Sequence, residues 1–193
     1  MQERNVSQWA IVIYSSYPPL ESPMNSQQRL FSRYIKSLPP GELTWIGVRP
    51  ERKQPMQSLT QVDAVQGLGL KGDHRMGKTP GSARQVTIIS EEFIQQIAHY
   101  LGGSHVTAFQ LRRNLVVKDI NLNALRHQQF QIGEAIFEAT AQCHPCSRME
   151  AALGKGGIAA MMGYGGLCCK VIQAGTVSVG DSVVLLTPQQ SLF

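Results

Sequence analysis

The sequence predicts a mainly β protein, a barrel or sandwich with a few inserted helices, and three observations point there. From Glu42 onward, short runs of β-forming residues are separated by turn residues. Two octapeptides, FQIGEAIF at 130–137 and VSVGDSVV at 177–184, share one pattern: apolar, polar, apolar, Gly, acid, small, apolar, apolar. Strands and helices do not alternate regularly, which argues against a doubly wound sheet.

In order, Trp9–Tyr14 is a strand candidate ended by Ser15-Ser16-Tyr17-Pro18-Pro19. Residues 25–38 read as a helix: Asn25 or Ser26 can cap it, and Leu30, Phe31, Tyr34, Ile35 and Leu38 fall at three- and four-residue spacing. Pro39-Pro40-Gly41 stops it, so residues 1–40 form a partly helical extension and 41–193 the domain. Leu43–Val48 is rich in β-formers, whereas Met56–Val65 alternates only weakly. Arg84–Ile89 is a strong strand candidate. Ser90 then caps a helix with Glu91 and Glu92 in its first turn and an apolar face of Phe93, Ile94, Ile97, Ala98 and Leu101. Gly102-Gly103 ends that helix, and Leu115–Val117 and Leu167–Ile172 read as strands. In each octapeptide the Gly-acid pair marks a tight bend.

The chain has 193 residues, 42% hydrophobic and 16% charged, enough for one domain with a real core. A formal charge of +5 suits an anionic ligand but is too small and scattered to indicate nucleic acid. No signal-peptide pattern or membrane-length apolar run is seen, so a cytoplasmic protein with no membrane role and reduced thiols is expected.

Chemistry concentrates in Cys143-His144-Pro145-Cys146-Ser147-Arg148. A CxxC before a helix is locally compatible with a thioredoxin-like dithiol, because a helix N-terminus favours a thiolate placed there. The Gly-rich, β-like residues 147–193 lack the second βαβ half that such a fold needs. A zinc site with Cys168 and Cys169 is a second reading, weakened because adjacent cysteines point apart. Both residues otherwise pack as small hydrophobes in a strand. The Gly67–Arg75 loop offers Lys71, His74 and Arg75 to an anion, or is a surface turn. Arg112, Arg113 and Asn114 could hold a phosphate or a planar heterocycle, or form a solvated basic turn. Glycines flank Ile158–Met162, as mobile loops beside a ligand or as simple connections.

Taken in order, Gly72-Asp73-His74-Arg75, Arg84–Ser90, Leu111–Leu115, Gln131-Ile132-Gly133, Pro145-Cys146-Ser147-Arg148 and Gly175–Asp181 resemble the MOSC domain, the C-terminal domain of molybdenum cofactor sulfurase. The likeness runs from about Glu42 to Leu186. It implies a β-barrel of the kind inserted in pyruvate kinase and binding of the molybdenum cofactor (molybdopterin); the family also carries an association with pyridoxal phosphate. Characterised relatives reduce N-hydroxylated compounds, and domains fused to sulfurases are thought to recognise the cofactor or pass sulfur. The family's central cysteine falls on Cys146, as molybdenum ligand or, alternatively, as persulfide carrier. Thiolate is a soft ligand suited to a metal already bound by dithiolene sulfurs. By residue type, Lys71, Arg84, Arg112 and Arg113 would neutralise the pterin phosphate and Asn114 would bond the pterin, with His74, Arg75 and Arg148 also at the cofactor. Where the family commonly has Gly-Asp-Arg-His, this chain has Gly-Asp-His-Arg, which leaves open whether His74 or Arg75 faces the ligand. Without a flavin, haem or iron–sulfur signature, a separate electron-donor protein is expected, and a homodimer is compatible.

Overall fold

The structure is a computed structural model and describes residues 34–186. The expected strand at Trp9–Tyr14 and residues 25–33 of the expected helix lie outside the described residues. The end of that helical reading is a 3-10 turn at Ile35–Ser37. Strand β1 then begins at Gly41 (Gly41–Val48).

The other strands are β2 (Gln57–Leu59), β3 (Gln61–Val65), β4 (Gly69–Leu70), β5 (Val86–Ser90) and β6 (Leu115–Lys118). They continue with β7 (Gln129–Ile132), β8 (Ala135–Gln142), β9 (Leu167–Gln173), β10 (Gly175–Ser178) and β11 (Ser182–Leu186). Four short helices interrupt them: α1 (Glu91–Tyr100), α2 (Ala108–Leu111), α3 (Ser147–Leu153) and α4 (Gly157–Ala160). Sheet order β11-β7-β8-β9-β5-β6-β1, with β1 also pairing β11, closes a seven-stranded barrel; β2 extends β1 as a flap. Strands β10, β3 and β4 make a small second sheet.

One pair in the barrel is parallel. β5 and β6 are joined by α1 and α2, a single βαβ crossover within an otherwise antiparallel sheet. Its sequence signature is the Ser90 cap, whose hydroxyl accepts from Phe93 N at 3.2 Å. Both faces of β5 and β6 are buried, as parallel strands under helices demand. Ile88 and Val117 point into the barrel, while Ile89 and Val116 join Ile97, Leu111, Met149 and Met161 beneath the helices. The barrel interior is filled by Leu43, Ile46, Phe130, Ile132, Phe137 and Val183, with Phe130 stacked on Phe137 at 5.7 Å. Burying each such side chain contributes roughly 1.5–3 kcal/mol.

The two octapeptides share a bend but not its use. The first is a tight hairpin, with Ile132 opposite Ala135. The second carries the chain between sheets: β10 pairs β3, whereas β11 pairs β7 and β1. The weak alternation of Met56–Val65 has its cause in a break at Thr60, which splits it into β2 and β3.

Candidate functional site

The groups singled out from the sequence gather where several strands begin or end: after β1, before β5 and β6, and at the exit of β8. Asp73 is the buried hub. Its Oδ2 accepts from the Arg49 backbone N at 3.0 Å and from Asn114 Nδ2 at 3.0 Å, and its Oδ1 accepts from Arg75 N at 2.9 Å. His74 Nδ1 lies 3.1 Å from the same Oδ1. One carboxylate thus fixes the 3-10 turn His74–Gly77 against the end of β1.

Outside that hub lies a cleft of about 490 Å³ lined by Arg49, Arg52, His74, Arg75, Lys78 and Arg148, with Gly77. Every charged group on its wall is basic. Arg49 is buried; its Nη2 contacts His74 Nε2 at 3.1 Å, while its Nε has no partner. This contact is a donor–acceptor bond when His74 carries its proton on Nδ1, toward Asp73. Burial and then the Arg49 charge push His74 below the ordinary imidazole range. Burial likewise lowers Arg49, with repulsion from Arg112, Arg75 and Arg148 adding to it. Such a wall attracts an anion, and guanidiniums match phosphate oxygens in pairs.

Arg148 connects this cleft to the cysteine segment. Cys146 is exposed and stands at the N-cap of α3, with Arg148 two residues on. Cys143 is buried, and its sulfur accepts from Arg84 Nη2 at 2.9 Å. A proton offered by the Cys168 thiol, then the charges of Arg113 and Arg84, hold Cys143 down to about 5 against the effect of burial. Cys168 is pushed up by the same contact and by burial. Gly165 is required here: a Cβ on it would strike the Cys143 carbonyl, and its own carbonyl accepts from Arg113 Nε at 2.8 Å.

His74, Arg75 and Arg148 all line the cleft, so the exchanged order in the Gly-Asp segment still leaves both His74 and Arg75 facing it. Arg112, in a left-handed cap after α2, lies close enough to repel Arg49. Lys71 is apart from the cleft walls; exposed, it pairs with Asp63 at 3.1 Å. Asn114 turns inward. Its Oδ1 accepts from Thr87 N (3.1 Å) and Thr87 Oγ1 (2.9 Å), and its Nδ2 donates to the Gly47 carbonyl (3.1 Å) and to Asp73, leaving no free donor for a ligand. Arg84 and Arg113 converge on Cys143.

Sequence reasoning missed Arg49, Arg52 and Lys78. Single basic residues in turns carry no motif, and only tertiary pairing reveals that Arg49 is buried. Within the CxxC, residues 143–146 run without a turn, with Cys143 buried and Cys146 exposed. A four-cysteine zinc cluster is not assembled, because Cys169 faces the barrel interior while Cys168 lies on the opposite face of β9.

The seven-stranded barrel has counterparts among solved structures. The YuaD protein from Bacillus subtilis superposes with a TM-score of 0.68 at 18% identity, over 79% of this chain and 98% of that one. YiiM from Geobacillus stearothermophilus gives 0.61 at 16% identity, over 76% of this chain and 75% of that one. YiiM from Escherichia coli gives 0.58 at 19%, over 77% and 71%. No curated protein matches by sequence. The model of the MOSC domain matches residues 72–184, more than half of the chain, and the chain belongs to that family.

Proposed function

We propose that this protein holds a molybdenum cofactor and reduces N-hydroxylated compounds, with Cys146 as the thiolate ligand of the metal. The observation that carries the reading is the wholly basic cleft running to Arg148, two residues from an exposed cysteine. The residues fit the group. Its phosphate would be held by Arg49, Arg75, Lys78 and Arg148, and the unpartnered Nε of buried Arg49 is a donor in want of an acceptor. A thiolate suits a soft, sulfur-rich metal site. When bound, the cofactor supplies two-electron chemistry and a place for the substrate's oxygen. The chain's own residues neutralise the phosphate, hold neutral His74 between Arg49 and Asp73, and present the Cys146 sulfur to solvent. Electrons come from a separate donor protein.

Metal analysis of protein purified with its cofactor, beside Cys146→Ala, tests the ligand role. Full molybdenum content and full N-reductase activity in the variant would overturn it. A second reading, favoured by the exposure of Cys146, is a carrier in which this sulfur holds a persulfide for an acceptor protein. Intact mass measured on non-reduced protein separates the two, because the carrier gains one sulfur on the Cys146 peptide.

A further inference from the structure

The buried guanidinium of Arg113 has two bonds to carbonyls, from Nε to Gly165 and from Nη1 to Leu111, each 2.8 Å, and an Nη2 with no partner. No carboxylate pairs with it: the ion pairs among the described residues are Lys71–Asp63, His74–Asp73 and Lys118–Glu42. A buried cation without a counter-charge is costly. The group that can supply the charge is Cys143, which also accepts a 2.9 Å bond from Arg84. A guanidinium bonded to the sulfur, with the charge of Arg113 nearby, favours the thiolate.

The β8–β9 register then brings a second thiol to that sulfur. Ala141 pairs with Cys168, and Cys143 N donates to the Gly166 carbonyl at 2.8 Å, so the strand pair continues through Cys143. Cys143, just past the end of β8, is thereby opposite Gly166, and Cys168, two positions along β9, shares its face as a diagonal neighbour. The arrangement is a sulfur bonded by a guanidinium and a second thiol on the neighbouring strand, diagonal to it on the same face. It is independent of Cys146 and of any cofactor.

We propose that Cys143 and Cys168 are a reactive dithiol that a small hydroperoxide converts to a disulfide. The Cys143 thiolate attacks one peroxide oxygen; the O–O bond breaks, Cys143 becomes a sulfenic acid, and hydroxide leaves beside Arg84. The Cys168 sulfur then attacks the Cys143 sulfur, displacing the second oxygen as water with the Cys168 proton, while the first hydroxide takes a proton from solvent. The two sulfurs lose two electrons and the peroxide gains two. A dithiol reductant reverses the bond by exchange. With Cys143 only 1% exposed and Cys168 5%, the pair is closed to bulky disulfides, so the oxidant we assign to it is a small hydroperoxide.

The test treats the full, reduced chain with a small excess of hydrogen peroxide, alkylates the remaining thiols under denaturing conditions and maps peptides without reduction. The expected result is a Cys143 peptide joined to the Cys168 peptide, two hydrogens lighter than the sum, with fragmentation placing the bond on Cys168 rather than Cys169. Dithiothreitol should undo it. In Cys168→Ser, Cys143 should instead stop as a dimedone-reactive sulfenic acid, and Arg84→Met should slow wild-type cross-linking at least tenfold. The proposal is overturned if wild-type protein oxidises at Cys146 while Cys143 and Cys168 stay alkylatable, or if Cys143 is found joined to Cys146. Each of these outcomes is read in wild-type protein, so a variant that fails to fold does not blunt the test, and none depends on Cys146 holding a metal.

Discussion

Replacing Asn114 with Ala separates a structural role from a ligand-binding one. The amide makes four contacts inside the protein, none to solvent: Thr87 N and Thr87 Oγ1 on one side, the Gly47 carbonyl and Asp73 on the other. Asp73 keeps its bonds to Arg49 N and Arg75 N, and the Thr87 hydroxyl can turn. The Thr87 N–H and the Gly47 carbonyl oxygen remain buried and lose their side-chain partner. Each such orphan costs about 1–3 kcal/mol, so with the lost packing the substitution should destabilise the fold by roughly 3–5 kcal/mol. That is a large share of the ~5–15 kcal/mol typical of a domain. Asn114→Asp should be at least as damaging, because it sets a carboxylate oxygen against Asp73 and the Gly47 carbonyl. Lys71→Ala is the control: its ion pair is exposed, and its loss should cost well under ~1 kcal/mol. Urea unfolding at neutral pH with fixed reductant reads all three. If Asn114→Ala changes stability by less than ~1 kcal/mol yet abolishes binding of inorganic phosphate, the residue is a ligand contact and the reasoning fails.

Other outcomes follow from the same geometry. Arg49→Met and Arg148→Ala should each weaken inorganic phosphate binding about tenfold or more by calorimetry, in line with ~1.5–3 kcal/mol for a charged hydrogen bond, whereas Lys71→Ala should not. Removing Arg49 also removes a charge that holds His74 down, so the His74 titration followed by NMR should move upward. Stability should depend on pH through Cys143. Its thiol, ordinarily near 9.0, sits at about 5 when folded, so unfolding takes up a proton between those values. The contribution is full above about 9 and is lost as pH falls through about 5; the raised Cys168 acts in the opposite direction only above its ordinary 9.0. Urea midpoints should therefore rise from pH 5.5 to 8.5, and Cys143→Ser should flatten that rise.

Local pattern carried the elements well. The Ser90 cap, the Arg84–Ile89 run and the two Gly-acid bends each correspond to a strand end, a helix start or a turn, because these depend on residues within a few positions of one another. Such patterns left barrel and sandwich both open, because closure pairs Gly41 with Val183, far apart in the chain; the resemblance implied the barrel. The site divides the same way. Cys146 and Arg148 share a motif; Arg148 lines the cleft, and Cys146 is exposed two residues before it. Asn114 was read as a ligand because residue type reveals donors but not which groups they already serve. The Arg84–Cys143 bond spans 59 positions and joins two residues that no motif links.

What unites the site is how its positive charges are held. Arginines packed this closely repel one another, and the lowered values of Arg49, Arg75 and Arg113 all begin with burial. The fold offsets this from behind, with Asp73 under the cleft and the Cys143 sulfur bonded to Arg84. The two anions differ in consequence. Asp73 is tied to the backbone N–H groups of Arg49 and Arg75, and so fixes the shape of the turn. A thiolate offers charge only while reduced and deprotonated. Placing sulfur rather than carboxylate under Arg84 makes that half of the rim responsive to oxidant, a sensitivity that Asp73 on the cleft side does not share.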